Sequence, residues 1–145
     1  MSLVNSFETD LLEYMFNNTV LANFGDAAGI PATVGAGSMF ISLHTADPGE
    51  AAANQSVSEM TYTGYGRSAA PRSAGGWTVA GNIADNAAVE QLGENTGTSQ
   101  TSTDCGLGFA VSGATALYMI GAAALVVSTG VNPEFAIGAL DASLD

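Results

Sequence analysis

The segment HTADPGE, from His44 to Glu50, holds the residues of this chain best suited to chemistry. His44, Asp47 and Glu50 follow one another at a spacing of three, which could supply metal ligands or a base with its orienting acid. That spacing places side chains on one face only in a helix, and Pro48 followed by Gly49 prevents a helix here. We therefore favour a strand end that runs into a polar turn, with the ligand or acid–base role as the alternative.

The candidate nucleophiles and glycine pairs lack the sequence context that catalysis requires. Ser38 lies in GAGSMF, which differs from the G-x-S-x-G elbow, and Cys105 has no catalytic partner nearby in the sequence. GAG at 35–37 and GLG at 106–108 are followed by neither a lysine nor a phosphate-binding pattern. A single cysteine forms no intramolecular disulfide, and the chain lacks the cysteine and histidine clusters of structural zinc sites. The sequence thus predicts no catalytic, cofactor-binding or metal-binding residues, and no enzyme.

The charge balance is strongly acidic, because fourteen carboxylates face only two cations and give the 145 residues a net charge of −12. Such a chain repels nucleic acid and anionic membranes, so neither is expected as a partner. We expect both cations, Arg67 and Arg72, to pair with carboxylates within the chain or between subunits, with ligand binding as the alternative. Trp77, which follows two glycines, is expected to anchor a core. These three residues are the predicted sites of structural or oligomer pairing.

The N-terminal part of the chain is predicted to be helical. Apolar residues recur every four positions from Leu3 to Met15, which predicts an amphipathic helix over residues 3–17 of an N-terminal segment, 1–20. The glycine-rich segment 21–37 that follows is expected to form a loop. Its length and composition make it available as a flexible arm.

The remaining residues, 38–145, show the short apolar runs of a β domain. Residues 93–104 are small or polar and are expected to form an exposed loop. Short runs between turn signals favour an antiparallel sheet. We therefore predict a mainly β single domain over 1–145, an antiparallel β-sandwich or barrel-like fold with the N-terminal helix. The predicted strands and apolar runs lie at 38–44, 61–67, from Trp77 onward, and at 105–111, 115–127 and 134–140.

The sequence also predicts where the protein is made. Its N-terminus carries acidic and no basic residues, unlike a secretory signal or a transit peptide, so synthesis in the host cytoplasm is expected. The densest apolar run, from Ala114 to Val127, is too short to span a bilayer and suits a buried core better.

Several motifs of this chain resemble a known family. They are F-E-x-x-L-L in the predicted helix, FISLHTADPGEA, YTGYGRSAA, GGWTVAGNIADNAA and the closing GVNPEFAIGALDASLD. Together they are similar to small virion proteins of tailed bacteriophages that are labelled head decoration (cement) or tail-fibre proteins. The resemblance extends from Phe7 to Leu144, and it is most specific in SLHTADPGE and NPEFAIGAL. Relatives usually have T-H-x-G-I-G where this chain has the residues 103–108.

The resemblance implies a structural virion protein without enzymatic activity. A compact chain of 145 residues fits a capsid cement better than a receptor-binding fibre. We therefore expect a decoration protein on the outer capsid surface that clamps neighbouring copies of the major capsid protein, with the two predicted loops as arms. The apolar C-terminal part of the chain, which is uncharged from Cys105 to Pro133, predicts a homo-oligomer, with a homotrimer favoured. A tail-fibre or host-adhesion component is the alternative.

Overall fold

The computed structural model describes residues 2–51 and 54–144. Within them the chain is mainly β, with antiparallel sheets and one helix near the N-terminus, as predicted, and the sheets do not close into a barrel. The elements are α1 (Asn5–Asn17), β1 (Ser38–His44), β2 (Ser68–Pro71), β3 (Trp77–Ala80), β4 (Ile83–Asn86), β5 (Glu90–Gln91), β6 (Gln100–Gly108), β7 (Leu117–Val127), β8 (Glu134–Phe135) and β9 (Asp141–Ser143).

The chain divides into two compact units. Unit 1 comprises Met1–Ser38, Ala70–Val89 and Phe135–Asp145, and unit 2 comprises Met39–Ala69 and Glu90–Glu134. The single domain expected over 1–145 stays a prediction.

Unit 1 contains the helix and a three-stranded sheet of order β3-β4-β9. The helix buries Leu12 and Phe16, four residues apart, because these side chains lie on one helical face. Phe16 packs against Trp77 at the start of β3, with ring centroids 4.6 Å apart. The helix ends where Asn18 takes up a left-handed conformation with φ of 55°, which the prediction of a stop near residue 17 anticipated.

The glycine-rich loop of unit 1 is tied to the rest of that unit. Leu21 and Ile30 exchange backbone hydrogen bonds of 3.0 and 2.9 Å. The Asn18 side chain donates to the Thr33 carbonyl and accepts from the Thr33 amide, both at 2.9 Å. The loop predicted as a free arm is therefore held at its base by paired side-chain and backbone bonds.

Unit 2 contains β1, β6 and β7 as neighbouring antiparallel strands. β1 pairs with β6 from Phe40↔Gly108 to His44↔Asp104, and β6 pairs with β7 from Gln100↔Val127 to Gly108↔Leu117. The strand at 38–44 was thus predicted correctly. The apolar run at 115–127 forms the predicted strand, but only Val127 in it is buried, so the expectation that this run suits a buried core was wrong. β7 lies at the end of this set, next to β6.

Three predictions in this part of the chain were wrong: one predicted strand does not form, and two others have different bounds. Residues 61–67 form no strand, because Tyr65 turns back to bond the Tyr62 carbonyl and Gly64, with φ of 101°, lies against the Glu94 carbonyl. β6 begins at Gln100, inside the predicted 93–104 loop, and ends at Gly108. The run at 134–140 contributes only Glu134–Phe135.

None of the described helices is long and apolar enough to cross a membrane.

Candidate functional site

The most densely bonded site in unit 2 surrounds Arg67, whose side chain is only 2% exposed. Its Nε donates to Glu59 Oε1 and its Nη2 to Glu59 Oε2, each at 2.7 Å, so the pair is bidentate. Arg67 Nη1 and Nη2 also donate to the carbonyl oxygens of Ala110 and Gly113, respectively, both at 2.9 Å. The hydrogen bonds to Glu59 raise the pKa of Arg67, which keeps the guanidinium charged despite its burial.

The bonding continues from Arg67 into the sheet through Gln55. Arg67 Nη1 donates to Gln55 Oε1 at 3.1 Å, and Gln55 Nε2 donates to Ser42 Oγ at 2.9 Å. Ser42 Oγ lies 2.8 Å from His44 Nε2, and His44 Nδ1 lies 2.8 Å from the Val57 carbonyl. Since a carbonyl only accepts, Nδ1 carries the proton and Nε2 accepts from the Ser42 hydroxyl. We call this set, with Glu59 and Tyr65, the Arg67 cluster.

The Ser42 and His44 side chains resemble a nucleophile–base pair in distance but not in surroundings. Both residues are fully buried, and the imidazole is oriented by a backbone carbonyl rather than by a carboxylate. Every polar group described above has a partner inside the protein. The geometry is that of a satisfied structural network, which lowers the cost of burying these groups.

Glycines make room for the Arg67 cluster between the strands. A Cβ on Gly106 would lie 2.8 Å from His44 Nε2 and 2.6 Å from Leu117 Cδ1. A Cβ on Gly108 would lie 2.1 Å from Gln55 Oε1. The GLG at 106–108 is thus a packing requirement of tightly opposed side chains and not a nucleotide-binding loop.

An open cavity of about 280 Å³ adjoins the Arg67 cluster and is lined by Tyr62, Tyr65, Val111 and Ser112, among others. Its phenols are already engaged, since Tyr65 donates to Glu59 at 2.9 Å and Tyr62 to the Leu92 carbonyl at 3.0 Å. Burial raises the pKa of Tyr62 to about 12, and burial together with the Glu59 charge raises the pKa of Tyr65 as well. These groups stay protonated at neutral pH and are poorly suited to acid–base work.

The structure separates the three residues of the HTADPGE segment. His44 points into the Arg67 cluster, whereas Asp47 accepts from the Gly49 amide at 2.8 Å and Glu50 is exposed. The favoured interpretation, a strand end running into a polar turn, describes this segment. In the described ranges, no three histidine, cysteine or acidic residues are grouped as a metal site would need.

Arg72, in unit 1, bonds backbone carbonyls and not the carboxylate expected within the chain; its pairing with a carboxylate of another subunit stays a prediction. Its Nη2 donates to Tyr14 O at 2.6 Å, its Nε to Met15 O, and its Nη1 to Ala36 O at 3.1 Å. Tyr14 and Met15 lie in the last turn of α1, where carbonyls lack partners within the helix. Arg72 therefore caps the negative end of the helix and joins it to the glycine-rich loop.

Trp77 is fully buried in unit 1 against Phe16, in the position of a core anchor. Sequence reasoning missed Gln55, Ser42 and Tyr65 as members of the Arg67 cluster. The sequence indicated these residues only indirectly, through Ser42 and His44 on the predicted strand at 38–44 and the glycines at 106–108.

The exposed side of unit 2 is apolar around β7. Phe109 and Tyr118 stack with centroids 5.4 Å apart while each stays about half exposed. Val126, at the other end of β7, is 60% exposed. A second cavity of about 290 Å³ is lined by Leu117, Tyr118 and Ile120 together with Gly49 and Glu50.

These features describe a protein whose buried polar groups are bonded within the fold and whose surface around β7 is apolar. The chain matches, over residues 2–143, the family model described as "Podophage GP4 fiber I protein gp80", and it belongs to that family. It is therefore a phage virion structural protein, as the resemblance implied. A search of the curated proteins found no match.

Proposed function

We propose that this protein is a component of a virion fibre, the tail-fibre alternative of the sequence analysis, rather than a capsid cement. The observation that supports this is the family match over residues 2–143, because the family is described as a fibre protein. The proposed partners are other virion proteins and further copies of the chain, with neither nucleic acid nor membrane among them. The proposed role is structural and not enzymatic.

The organisation of the loops supports this choice over clamping by arms. The glycine-rich loop is bonded at its base through Asn18 and Thr33. In the loop at 93–99, Asn95 is fully buried and its amide donates to the Val127 carbonyl at 2.9 Å. Both segments that a cement would extend over neighbouring capsomers are thus anchored within their own units.

Localisation on the particle tests the proposal. Cryo-EM of virions, or gold-labelled antibody against this chain, should place it on a fibre at the tail. Particles that lack the protein should retain DNA on heating as wild-type particles do, but should adsorb poorly to the host. Supplying the wild-type protein from a plasmid is the control, and it should restore adsorption.

The cement function predicts the opposite result. Density on the capsid lattice, with DNA released at a lower temperature and adsorption unchanged, would overturn the fibre proposal. Such particles would lose the stabilisation that a bound decoration protein gives to an assembled shell.

A further inference from the structure

β7 is a long edge strand that lacks two of the features that commonly protect such edges, charged residues and proline. This strand of eleven residues pairs with β6 on one side, and no described strand pairs with its other side. It contains no charged residue and no proline, although both commonly prevent edge strands from pairing further. Its outer amides and carbonyls are therefore available to another strand.

Many side chains of β7 are also exposed to solvent. Gly121, Ala122 and Ala124 are exposed, Leu125 is 39% exposed and Val126 is 60% exposed. An apolar strand that is open on its edge and over much of its surface is typical of a contact with another protein.

The charges of the chain favour a second copy as that protein. Both cations are already bonded within the chain, so contacts between acidic surfaces of two copies would be repulsive. The longest stretch without any charged residue, 105–133, contains β7. Two copies that meet along β7 bring together strands that carry no charged residue, while the carboxylates of Glu50, at the cavity beside Leu117, and Asp104, on β6, lie outside the paired strands.

The two ends of β7 are complementary in an antiparallel pair. The register with β6 gives β7 one extra residue at Tyr118 and another at Ala123 or Ala124. When two copies of β7 are paired about Gly121, Tyr118 faces Ala124 of the second copy, so the irregular positions meet each other. Leu125 of each copy then lies beside the cavity that Leu117 and Tyr118 line in the other.

We propose that β7 is a self-association strand, to which a second copy adds its own β7 in antiparallel orientation to make one continuous sheet. The contact is isologous and closes after two copies, unlike the homotrimer expected from the sequence. The inference goes beyond the fibre assignment and is tested on the purified chain, so either proposal can fail without the other.

The first test is the mass in solution by light scattering coupled to size exclusion. The wild-type protein should have twice the chain mass of 14.5 kDa. Ala122→Lys should halve that mass, because it places a charge beside the axis of the pair. The matched control is Thr101→Lys, an exposed residue of β6 that is not on the edge, and it should leave the mass unchanged.

A mixing experiment separates loss of pairing from loss of folding. Ala122→Glu should also be monomeric, since two copies of residue 122 flank the axis and repel each other. Mixing the Lys and Glu variants should restore the dimer through opposite charges. Asp104, opposite residue 122 on β6, is present in both variants, so the mixture is compared with each variant alone.

Hydrogen exchange tests the wild-type chain without any substitution. Amides of 117–127 should gain protection as concentration rises, while those of β1 should not change. A wild-type mass of one or three chains, a dimer that Ala122→Lys leaves intact, or protection of β7 that is independent of concentration would overturn the proposal.

Discussion

The two arginines of this chain serve the two units in different ways. Arg67 is buried in unit 2 and has a dedicated carboxylate in Glu59, with its other donors bonded to carbonyls and Gln55. Arg72 in unit 1 is partly exposed and bonds three backbone carbonyls, two of them at the end of α1. One residue type thus compensates a buried charge in one place and caps a helix in the other.

The degree of burial of an arginine determines whether its charge requires a carboxylate partner. A buried charge without a counter-charge is strongly unfavourable, so Arg67 requires Glu59. A partly exposed guanidinium retains contact with water, and carbonyl dipoles are sufficient partners for it. Unit 1 contains a third case, a pair of like charges without a cation. Asp85 lies opposite Asp141 in the pairing of β4 with β9, and no cation lies beside them in that register.

The largest effect is expected for Arg67→Ala. It leaves Glu59, Gln55 and two carbonyls without their partner, and breaking such a buried pair costs about 3–5 kcal/mol. The free energy of unfolding, measured by urea denaturation, should fall by that amount. Arg67→Lys retains the charge but not the bidentate fork and should lose less. A loss no greater than that of Arg72→Ala would contradict the distinction between the two arginines.

A smaller effect is expected for Gly106→Ala, which tests the packing around the Arg67 cluster. The added methyl group would push against His44 and Leu117, and such overpacking costs roughly 1–3 kcal/mol. Gly66→Ala is the control in the same unit, because its Cβ would meet no atom within 4 Å. Equal unfolding free energies for the two variants would show that the cluster tolerates the methyl group.

Arg72→Ala should destabilise the protein by about 1–2 kcal/mol, since it removes a cation from the end of α1. The loss should appear as reduced helical signal at low denaturant as well as a lower unfolding free energy. Arg72→Lys should recover part of it through the charge alone. A Lys variant no better than Ala would mean that the fork, and not the charge, holds the helix end.

The smallest effect, and the only gain, is expected for Asp85→Asn. Partial burial, together with the hydrogen bond and charge of Asp141, raises the pKa of Asp85 above its usual value. The ionised carboxylate therefore weakens the folded state at neutral pH, and neutral Asn should stabilise it by roughly 0.2–1 kcal/mol.

The stability gained by Asp85→Asn should depend on pH. A raised pKa in the folded state means that the wild-type protein gains stability as the pH falls through that pKa. The advantage of Asp85→Asn should thus be present at pH 7 and disappear once Asp85 is protonated in both states, below pH 3.8, the ordinary value for Asp. Asp10→Asn, at an exposed helical position, is the control. A gain that persists at low pH would contradict the carboxylate repulsion.

Much of the local structure could be predicted because it depends on near neighbours. The apolar period of four gave α1, the alternation from Ser38 gave β1, and Asp47-Pro48-Gly49 gave the turn. The failures at 61–67 and 134–140 arise where distant residues set the conformation. Gly64 turns against Glu94, and Asn86 holds the chain at Ala139 and Leu140 through its side-chain oxygen.

By itself the sequence determined the acidic charge, the mainly β composition with one N-terminal helix, and the motifs that mark a virion protein, because these depend on residue type and short spacing. Only the tertiary structure decided the partners of Arg67 and Arg72, the role of the glycines at 106 and 108, and the exposure of β7. Each of these depends on which distant segments meet: Arg67 reaches Gly113, and Arg72 reaches Tyr14. Pairings across such separations are selected by the packing of the whole unit, which short-range patterns do not encode.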